Sequence, residues 1–286
     1  MDDSAPPYVS TCPVGCSAPL APTGILLREG PLRRCEECGQ LLSRIGEAAY
    51  WDSMRQFDRH EFNQPPPHEA ARRFRVARRR LDTISRLLGK PPSSLRVLDV
   101  GCSRGNFLEA GARLGFCMEG VEPAANIAAA ARAQGLTVHT GLLADIKLPA
   151  ASFDAITLFE VIEHLKEPLP LLRECHRVLK PGGILVLSTG NTASWTVRAM
   201  QARWDYFDIA RDGGHISFYN PRSTALLGTR AGFATERIAT SRVKFHEKGE
   251  VARWRYVAGK LVAEVLNLPA QLTGRGHDML AYLRRV

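Results

Sequence analysis

The segment FEVIEHLKEP (residues 159–168) concentrates three side chains that can bind a metal or move a proton. Glu160, Glu163 and His164 are spaced at i, i+3 and i+4, so on a helical turn they would share one face. Two carboxylates and an imidazole there form a partial ligand shell for Mg²⁺ or Mn²⁺, which would ease deprotonation of a substrate hydroxyl. The alternative needs no cation. Glu160 would then hydrogen-bond the cofactor or substrate, Glu163 would lie in the first turn of a helix, where the helix dipole favours an acid, and His164 would pack inside.

A glycine-rich turn lies in VLDVGCSRGNFL (97–108), where Asp99, Gly101 and Gly105 follow an apolar strand-like run. The G-x-x-x-G spacing is neither G-x-G-x-x-G nor a P-loop, which disfavours a diphosphate ligand. The acid before the turn suits a cationic ligand, and Glu122 at the end of the next apolar run can accept hydrogen bonds from ribose hydroxyls. Together these features favour S-adenosylmethionine over NAD. The structural alternative, a turn acid and a capping acid, is disfavoured because both lie at predicted strand ends.

Four cysteines form two close pairs near the N-terminus, in CPVGC and CEECGQ. Cys12 and Cys16 are spaced C-x-x-x-C, whereas Cys35 and Cys38 form a C-x-x-C knuckle followed by glycine. Both spacings occur at zinc sites, and the stretch between the pairs is long enough for a small hairpin. We therefore expect a structural zinc, with four thiolates closing the shell, rather than four unrelated thiols or a catalytic metal.

From about residue 95 the chain alternates short apolar runs with helical patterns, which predicts βαβ units and a parallel sheet. We divide the chain into a zinc-ribbon-like module (1–45), a helical connector (46–94) and a main α/β domain (95–286). Within the main domain, KPGG (180–183) is predicted as a turn, Asp154 as a structural acid and the final GHDMLAYLRRV as a closing strand.

The net charge of +9 comes largely from the arginine-rich segment 71–88. Apolar residues at helical spacing in this segment predict an amphipathic helix with a solvated basic face. The alternative is an electrostatic footprint for phosphates of RNA, an acidic lipid surface or a nucleotide-linked substrate. Neither a secretory signal nor an apolar run long enough to span a membrane is evident, so we expect a soluble cytoplasmic protein.

Four segments resemble, in order and in register, the motifs of class I S-adenosylmethionine-dependent methyltransferases: VLDVGCSRGNFL, EGVEP, SFDAITLFEVIEHL and RVLKPGGILVLST. The resemblance covers about residues 95–240 and implies a Rossmann-like sheet with helices on both faces. It also implies the cofactor-binding residues: Asp99, Gly101, Cys102, Ser103 and Gly105 at the methionine end, Glu122 at the ribose, Leu142 or Leu143 at the adenine, and Phe159 nearby. Ser103 departs from the family, since many members carry glycine there.

FEVIEHLKEP is similar to the EMLEH-type stretch of the ubiquinone-pathway O-methyltransferases. In that branch the equivalents of Glu160, Glu163 and His164 are associated with a divalent cation, and a related ExxEH ligates a metal in small-RNA 2′-O-methyltransferases. RLDTI (80–84) resembles a stretch of the same branch in which the arginine approaches the cofactor carboxylate, so Arg80 is a predicted cofactor-binding residue.

The segment GGHISFYNPRSTALLGTRAGF (213–233) resembles a family segment in which a histidine-containing loop precedes a helix. His215 is accordingly a candidate general base or substrate contact, because an imidazole titrates near neutral pH. Its alternative role is to hold the loop through a hydrogen bond to the backbone.

The thiol pairs ahead of this domain are similar to those of bacterial methyltransferases that act on deoxysugars and surface glycans, although their knuckle is usually CPxCG and this chain has CPVGCS. We therefore predict O-methylation of a small-molecule or saccharide hydroxyl, such as a glycan precursor, with orientation supplying most of the catalysis. His215, or the turn carrying Glu160 and His164, would handle the proton. The alternatives are an RNA methyltransferase, a C-methyltransferase for nucleotide-linked sugars and a non-catalytic cofactor-binding protein. A nucleic-acid partner is disfavoured, and the sequence makes no prediction about oligomeric state.

Overall fold

Two β-sheets organise the residues that the computed structural model describes, 6–55, 69–208, 213–246 and 249–286. Their strands are β1 (Leu20–Leu27), β2 (Gly30–Cys35), β3 (Leu41–Leu42), β4 (Arg96–Val100), β5 (Cys117–Glu122), β6 (Val138–Thr140), β7 (Phe153–Phe159), β8 (Leu179–Gly190), β9 (Ser217–Phe218), β10 (Phe233–Ser241) and β11 (Asp278–Arg285).

The helices are α1 (Glu47–Met54), α2 (Ala70–Leu88), α3 (Asn106–Arg113), α4 (Ala125–Arg132), α5 (Leu143–Ile146), α6 (Pro168–Val178), α7 (Trp195–Met200), α8 (Pro221–Arg230) and α9 (Arg253–Leu272). Short 3₁₀ helices span Pro92–Ser94, Ile162–His164, Gln201–Arg203 and Asp205–Phe207. Within the described ranges no helix combines the length and apolar character that a membrane crossing requires.

The larger sheet has seven strands in the order β10-β11-β8-β7-β4-β5-β6. Strands β4 to β8 are parallel, and β11 pairs antiparallel with both β8 and β10. Strand β7 is buried along nearly its whole length, as expected for a strand covered by helices on both faces. The chain order reverses beside β4, so the carboxyl ends of β4, β5 and β7 frame the crevice where doubly wound sheets bind ligands. The predicted Rossmann-like sheet is confirmed.

The ends of the sheet test two smaller predictions. The predicted closing strand is β11, which is inserted between β8 and β10. The KPGG segment was predicted as a turn, but β8 already begins at Leu179 and includes it. Gly182 takes a φ of +73° there, and the pairing of β7 with β8 shifts its register between Phe153 and Ala155. The turn prediction was therefore wrong, because the glycines form an irregularity inside the strand and do not end it.

The N-terminal strands form the smaller sheet, β1-β2-β3-β9, and are joined to the rest of the fold. Leu41 of β3 pairs with Phe218 of β9, which comes from the loop after the parallel strands. The four N-terminal cysteines also share one apolar core with Leu98 and Leu158 of the large sheet. The module therefore packs directly on the α/β fold, and the boundaries at residues 45 and 94 stay a prediction.

The arginine-rich segment forms the predicted amphipathic helix α2. Leu81 and Ile84 are fully buried against the large sheet, whereas most of the arginines face outward. Gly89, in the left-handed region with a φ of +63°, ends the helix. Asp154 has the predicted structural role, since its buried carboxylate pairs with Lys90 at 3.0 Å and Lys180 at 2.8 Å.

Candidate active site and thiolate cluster

The glycine turn follows β4 and bends sharply back onto β5. Gly101 has a φ of +77°, and the amides of Gly101 and Cys102 donate to the carbonyl oxygen of Val121 at 2.8 and 3.1 Å. A Cβ on Gly101 would lie 2.8 Å from Cγ2 of Val161, which belongs to the turn after β7. Only glycine meets both the backbone and the space requirement here. The turn after β4 and the turn after β7 are therefore in direct contact.

Glu122, at the carboxyl end of β5, holds this turn in place. Its carboxylate accepts hydrogen bonds from the amide of Ser103 at 2.9 Å and from the amide of Ala124 at 3.0 Å. The second bond is the capping role weighed as the alternative above. Since a carboxylate offers about four lone-pair sites, the predicted contact with ribose hydroxyls remains compatible with both bonds.

Asp99 is the buried acid at the end of β4, with 4% of its surface exposed. The hydroxyl of Thr157 on β7 donates to its carboxylate at 2.5 Å. Burial raises the pKa of Asp99 to about 6, against the opposing effects of the Thr157 hydrogen bond and the nearby Arg80 guanidinium. A cationic ligand group at this point would favour the ionised carboxylate.

Arg80 reaches from α2 to the ends of β4 and β7. Its guanidinium lies 4.2 Å from the centre of the Phe159 ring, a cation–π distance, and Phe107 packs edge-on against the same ring at 4.9 Å. Burial lowers the pKa of Arg80, and the charges of Glu160 and Asp99 oppose that effect. The structure thus brings the predicted residues Arg80, Phe159 and Asp99 to one crevice.

The remaining predicted cofactor residues lie around the glycine turn and the loop after β6. Gly105 has a φ of +81° and directly precedes α3, and a Cβ there would overlap Leu136. Leu143 is buried in the core, whereas Leu142 is 59% exposed. Of the two leucines predicted at the adenine, Leu142 is the one whose side chain is accessible, and its contact with the adenine stays a prediction.

The turn after β7 differs from the single helical face expected for its three titratable residues. Glu160 has a φ of +55°, and the 3₁₀ helix begins only at Ile162. The backbone turns at Glu160, and its carboxylate is not among the ligating atoms that converge with Glu163, although its charge still acts on Glu163. The Glu160 carboxylate instead accepts a hydrogen bond from the Ser188 hydroxyl at 2.7 Å and another from the Tyr206 hydroxyl.

His215, and not Glu160, completes the cluster with Glu163 and His164. The ligating atoms of Glu163, His164 and His215 all lie within 4.8 Å of one another. Glu163 is fully buried, and neither of its carboxylate oxygens has a hydrogen-bond partner among the described residues. Burial and the charge of Glu160 raise the pKa of Glu163. A buried carboxylate without a partner costs free energy, and a bound cation would offset that cost. The three side chains are also of types that ligate cations.

Both imidazoles of the cluster are suited to donate lone pairs. Burial lowers the pKa of His215, and burial with the neighbouring His215 lowers the pKa of His164 to about 3. Nδ1 of His215 lies 3.0 Å from the carbonyl oxygen of Tyr206, and as the donor of that bond it leaves Nε2 as the free lone pair. This bond is the loop-holding role considered for His215, and it also fixes the ring for ligation.

Three residues that support the cluster carry no motif that the sequence could have revealed. The Tyr50 hydroxyl on α1 donates to the His164 carbonyl oxygen at 2.8 Å, and the Ser53 hydroxyl accepts from the Gly214 amide at 2.8 Å. Tyr206 donates to Glu160 and stacks on the His215 ring with centroids 5.3 Å apart. The predicted connector thus forms part of the site.

A cavity of about 480 Å³ lies between residues 242–246, which follow β10, and one side of α9, with His277 on its wall. Its lining is separate from the histidine cluster and from Glu160. Basic and acidic side chains both line it, chiefly Arg242, Lys244, Lys260, Asp205 and Glu264.

The four N-terminal thiols meet in one buried cluster. The Sγ atoms of Cys12, Cys16, Cys35 and Cys38 all lie within 4.8 Å of one another, and Cys12 and Cys38 are 3.6 Å apart. Tetrahedral zinc with Zn–S bonds of about 2.3 Å requires S–S separations of about 3.8 Å, so the cluster fits this ion. The Cys38 thiol lowers the pKa of Cys12 to about 5, and Arg230 contacts Cys16 at 3.3 Å. The wider spacing of the first pair does not prevent the four sulfurs from converging.

A parallel sheet with its crevice at β4, the glycine turn and the acid closing β5 define a class I S-adenosylmethionine-dependent methyltransferase. A family model described as a methyltransferase domain matches residues 68–238, more than half of the chain. The chain belongs to this methyltransferase family, and its cofactor is S-adenosyl-L-methionine.

Relatives and solved structures agree with this assignment. A ubiquinone biosynthesis O-methyltransferase from Xanthomonas axonopodis pv. citri is 38% identical over 172 residues, covering 56% of this chain and 70% of the relative. For a protein of the same name from Xanthomonas oryzae pv. oryzae, 38% identity extends over 39% of this chain and 49% of that protein, so the chain spans about half its length. An S-adenosylmethionine-dependent methyltransferase from Mesorhizobium loti shares the fold, with a TM-score of 0.50, 22% identity, and coverage of 70% of this chain and 95% of that one.

Proposed function

We propose that this methyltransferase transfers the methyl group to a hydroxyl of a small molecule and that Glu163, His164 and His215 hold a divalent cation beside the acceptor. The observation that carries the proposal is the fully buried Glu163, whose carboxylate oxygens have no hydrogen-bond partner in the described chain, next to the buried imidazole of His215 and the partly buried one of His164. The turn that bears Glu163 also contacts the glycine turn through Val161. An acceptor at the cluster would therefore lie next to the methyl donor.

The donor set of one carboxylate and two imidazoles suits Mn²⁺, Fe²⁺ or Zn²⁺, and Mg²⁺ if water completes the shell. When bound, such a cation would act as a Lewis acid on an acceptor hydroxyl. Tyr206 positions the His215 ring through its carbonyl oxygen, and Tyr50 holds the backbone of His164. These contacts would keep the donor atoms converging in the absence of metal.

We assign to Glu160 the role of the general base that accepts the proton of the acceptor hydroxyl. Its side chain is exposed at the end of β7, and the hydroxyls of Ser188 and Tyr206 fix the orientation of its carboxylate. As the acceptor oxygen attacks the methyl carbon, the C–O bond forms, the C–S bond breaks and the acceptor proton passes to Glu160. The left-handed φ of +55° at Glu160 is a strained conformation of the kind that occurs at functional sites.

The proposed acceptor class is supported by the relatives. The ubiquinone biosynthesis O-methyltransferase that is 38% identical over 172 residues makes a hydroxyl the expected methyl acceptor, on a phenol or a saccharide. We further propose a structural zinc at Cys12, Cys16, Cys35 and Cys38.

Metal binding and turnover together test the proposal. Electron paramagnetic resonance of Mn²⁺ added to chelator-treated protein should reveal one bound Mn²⁺ per chain, and His215→Ala should abolish it. Release of S-adenosylhomocysteine, measured across a panel of catechols, phenols and saccharides, should require the ion. Glu160→Gln should keep the Mn²⁺ signal and lower turnover at least tenfold.

The outcomes separate the parts of the proposal. Turnover that is unchanged by chelation and by His215→Ala would overturn the cation site while leaving the family assignment intact. Methylation of RNA, or of carbon in a nucleotide-linked sugar, with no transfer to any hydroxyl of the panel would overturn the acceptor class.

A further inference from the structure

The outer face of α9 exposes an uninterrupted series of large apolar side chains. Seven of them are between 46 and 79% exposed in the described chain: Trp254, Val257, Leu261, Val262, Val265, Leu268 and Leu272. The helix is 20 residues long, about 30 Å. Contiguous apolar patches of this extent, beyond a few hundred Å², are rare on monomeric proteins and mark interaction surfaces.

The opposite face of α9 already packs on the protein's own fold, beside the end of β10 and the start of α7. Ala263 and Ala270 are buried there, in a cluster with Val243, Trp195 and Phe245. Gly259 lies on the same inner side, since a Cβ there would be 3.1 Å from the His246 ring. Small inward residues bring the helix close to the fold, so its outer face cannot turn inward without losing these contacts.

The spacing of the outward residues is that of a two-helix seam. Trp254, Ala258, Leu261, Val265, Leu268 and Leu272 alternate steps of four and three, which is the a/d pattern of a heptad repeat. Ala258 is exposed like its neighbours. The pattern extends over almost three heptads and lies diametrically opposite the buried Ala263 and Ala270.

We infer that α9 pairs antiparallel with α9 of a second copy of this chain, which makes the protein a symmetric dimer. In an antiparallel pair centred on residue 263, each position i faces position 526 − i of the other copy. Large residues then face smaller ones in successive layers: Trp254 with Leu272, Ala258 with Leu268, and Leu261 with Val265. A parallel pair would instead oppose two tryptophans in one layer and two alanines in the next, which leaves uneven packing.

The apolar area that α9 exposes is just large enough for a stable dimer interface. The seven side chains expose on the order of 600 Å² that a partner helix can cover, so two copies would bury about 1,200 Å², near the minimum for a stable specific interface. The seam is apolar at its centre, as such interfaces are.

Solution mass and a matched pair of charge insertions test the dimer. The 286-residue protein at 50 µM should have twice the 31.5 kDa mass of one chain in light scattering after gel filtration. Leu261→Glu should raise the dimer dissociation constant at least tenfold, with thermal unfolding and S-adenosylhomocysteine binding unchanged. Leu26→Glu, at a leucine on β1 that is 67% exposed, is the control and should leave the dimer intact.

Crosslinking tests the direction of the helices in a Cys117→Ser background, which removes the exposed native thiol. A mixture of the single variants Leu261→Cys and Val265→Cys should form a disulfide-linked dimer, whereas Leu261→Cys alone should not. Crosslinking of Leu261→Cys alone would overturn the antiparallel arrangement. A wild-type monomer at 50 µM would overturn the dimer, and binding to anionic vesicles that Leu261→Glu abolishes would then assign the face to a lipid surface.

Discussion

The imidazole rings of His164 and His215 lie 4.7 Å apart, although one belongs to the turn after β7 and the other to the loop before β9. Glu163 completes their cluster from a fully buried position. Three ligating groups have thus been brought together from two distant segments, with one acidic side chain left without a hydrogen-bond partner in the described structure. Such an arrangement is unfavourable until a positive charge enters it.

The first prediction concerns the sign of the effect of Glu163→Gln. Without metal this change removes an uncompensated buried acid and should raise the free energy of unfolding by about 1 kcal/mol. With Mn²⁺ at about 100 times its dissociation constant, the wild type should gain about 2.7 kcal/mol, and the variant should gain almost nothing. Urea unfolding in EDTA and in Mn²⁺ measures both effects.

Glu160→Gln is the matched control for this experiment, because Glu160 lies outside the cluster of ligating atoms. This variant should keep the stabilisation by Mn²⁺. If the metal-free Glu163→Gln protein is less stable than the wild type, other groups in the protein already stabilise the buried carboxylate. The proposal of a cation site would then be wrong.

The second prediction concerns the thiolate cluster. Cys35→Ser should remove the bound zinc, which is measured as metal content per chain, and should lower the free energy of unfolding by about 3 kcal/mol or more. The effect should spread beyond the module, because the four cysteines share a core with Leu98 and Leu158 of the large sheet. Cys117→Ser, at an exposed thiol outside the cluster, should change neither quantity. Full metal content in Cys35→Ser would contradict the assignment.

The cofactor crevice was predictable from the sequence because its determinants are local. Asp99, Gly101 and Glu122 each follow an apolar run, and parallel strands place their carboxyl ends at one edge of a sheet. The convergence of the four cysteines was likewise foreseeable, since two short pairs around a hairpin can meet with little other support. Short-range spacing was sufficient in both cases.

The acceptor side could not be predicted in the same way. The helical spacing of Glu160, Glu163 and His164 implied one shared face, but the backbone is left-handed at Glu160 and the 3₁₀ helix begins only at Ile162, so His215 and not Glu160 joins the cluster. Tyr206 and Tyr50 join the site only through long-range packing of the aromatic loop and α1. Side chains brought together by such contacts leave no periodic signal in the sequence.

The third prediction follows from Ser103, which has a φ of +49° in the glycine turn. A left-handed conformation costs a residue with a Cβ about 1 kcal/mol, so Ser103→Gly should raise the free energy of unfolding by about 0.5–1 kcal/mol. The backbone amide would still donate to Glu122, so the affinity for S-adenosylhomocysteine should change less than about threefold. Ala133→Gly, at an exposed residue with a φ of −61°, should lower stability instead. Equal effects of the two changes would show that backbone strain is absent at Ser103.

The fourth prediction is a pH dependence set by Asp99, whose pKa burial raises to about 6. In the unfolded chain this acid titrates near pH 4, so between about pH 4 and 6 the folded protein keeps a proton that the unfolded chain has lost. The contribution of Asp99 to the free energy of unfolding therefore falls as pH rises through this window, by up to about 3 kcal/mol.

Ligand binding should show the opposite trend, because the amino group of S-adenosylhomocysteine is a cation that favours the ionised carboxylate. The affinity should rise nearly tenfold per pH unit below about pH 6 and level off above it, as measured by calorimetry from pH 5 to 7.5. Asp99→Asn should bind at least tenfold more weakly at pH 7 and show no such rise. If the wild-type affinity stays constant over this range, Asp99 does not hold the amino group, and the raised pKa reflects burial alone.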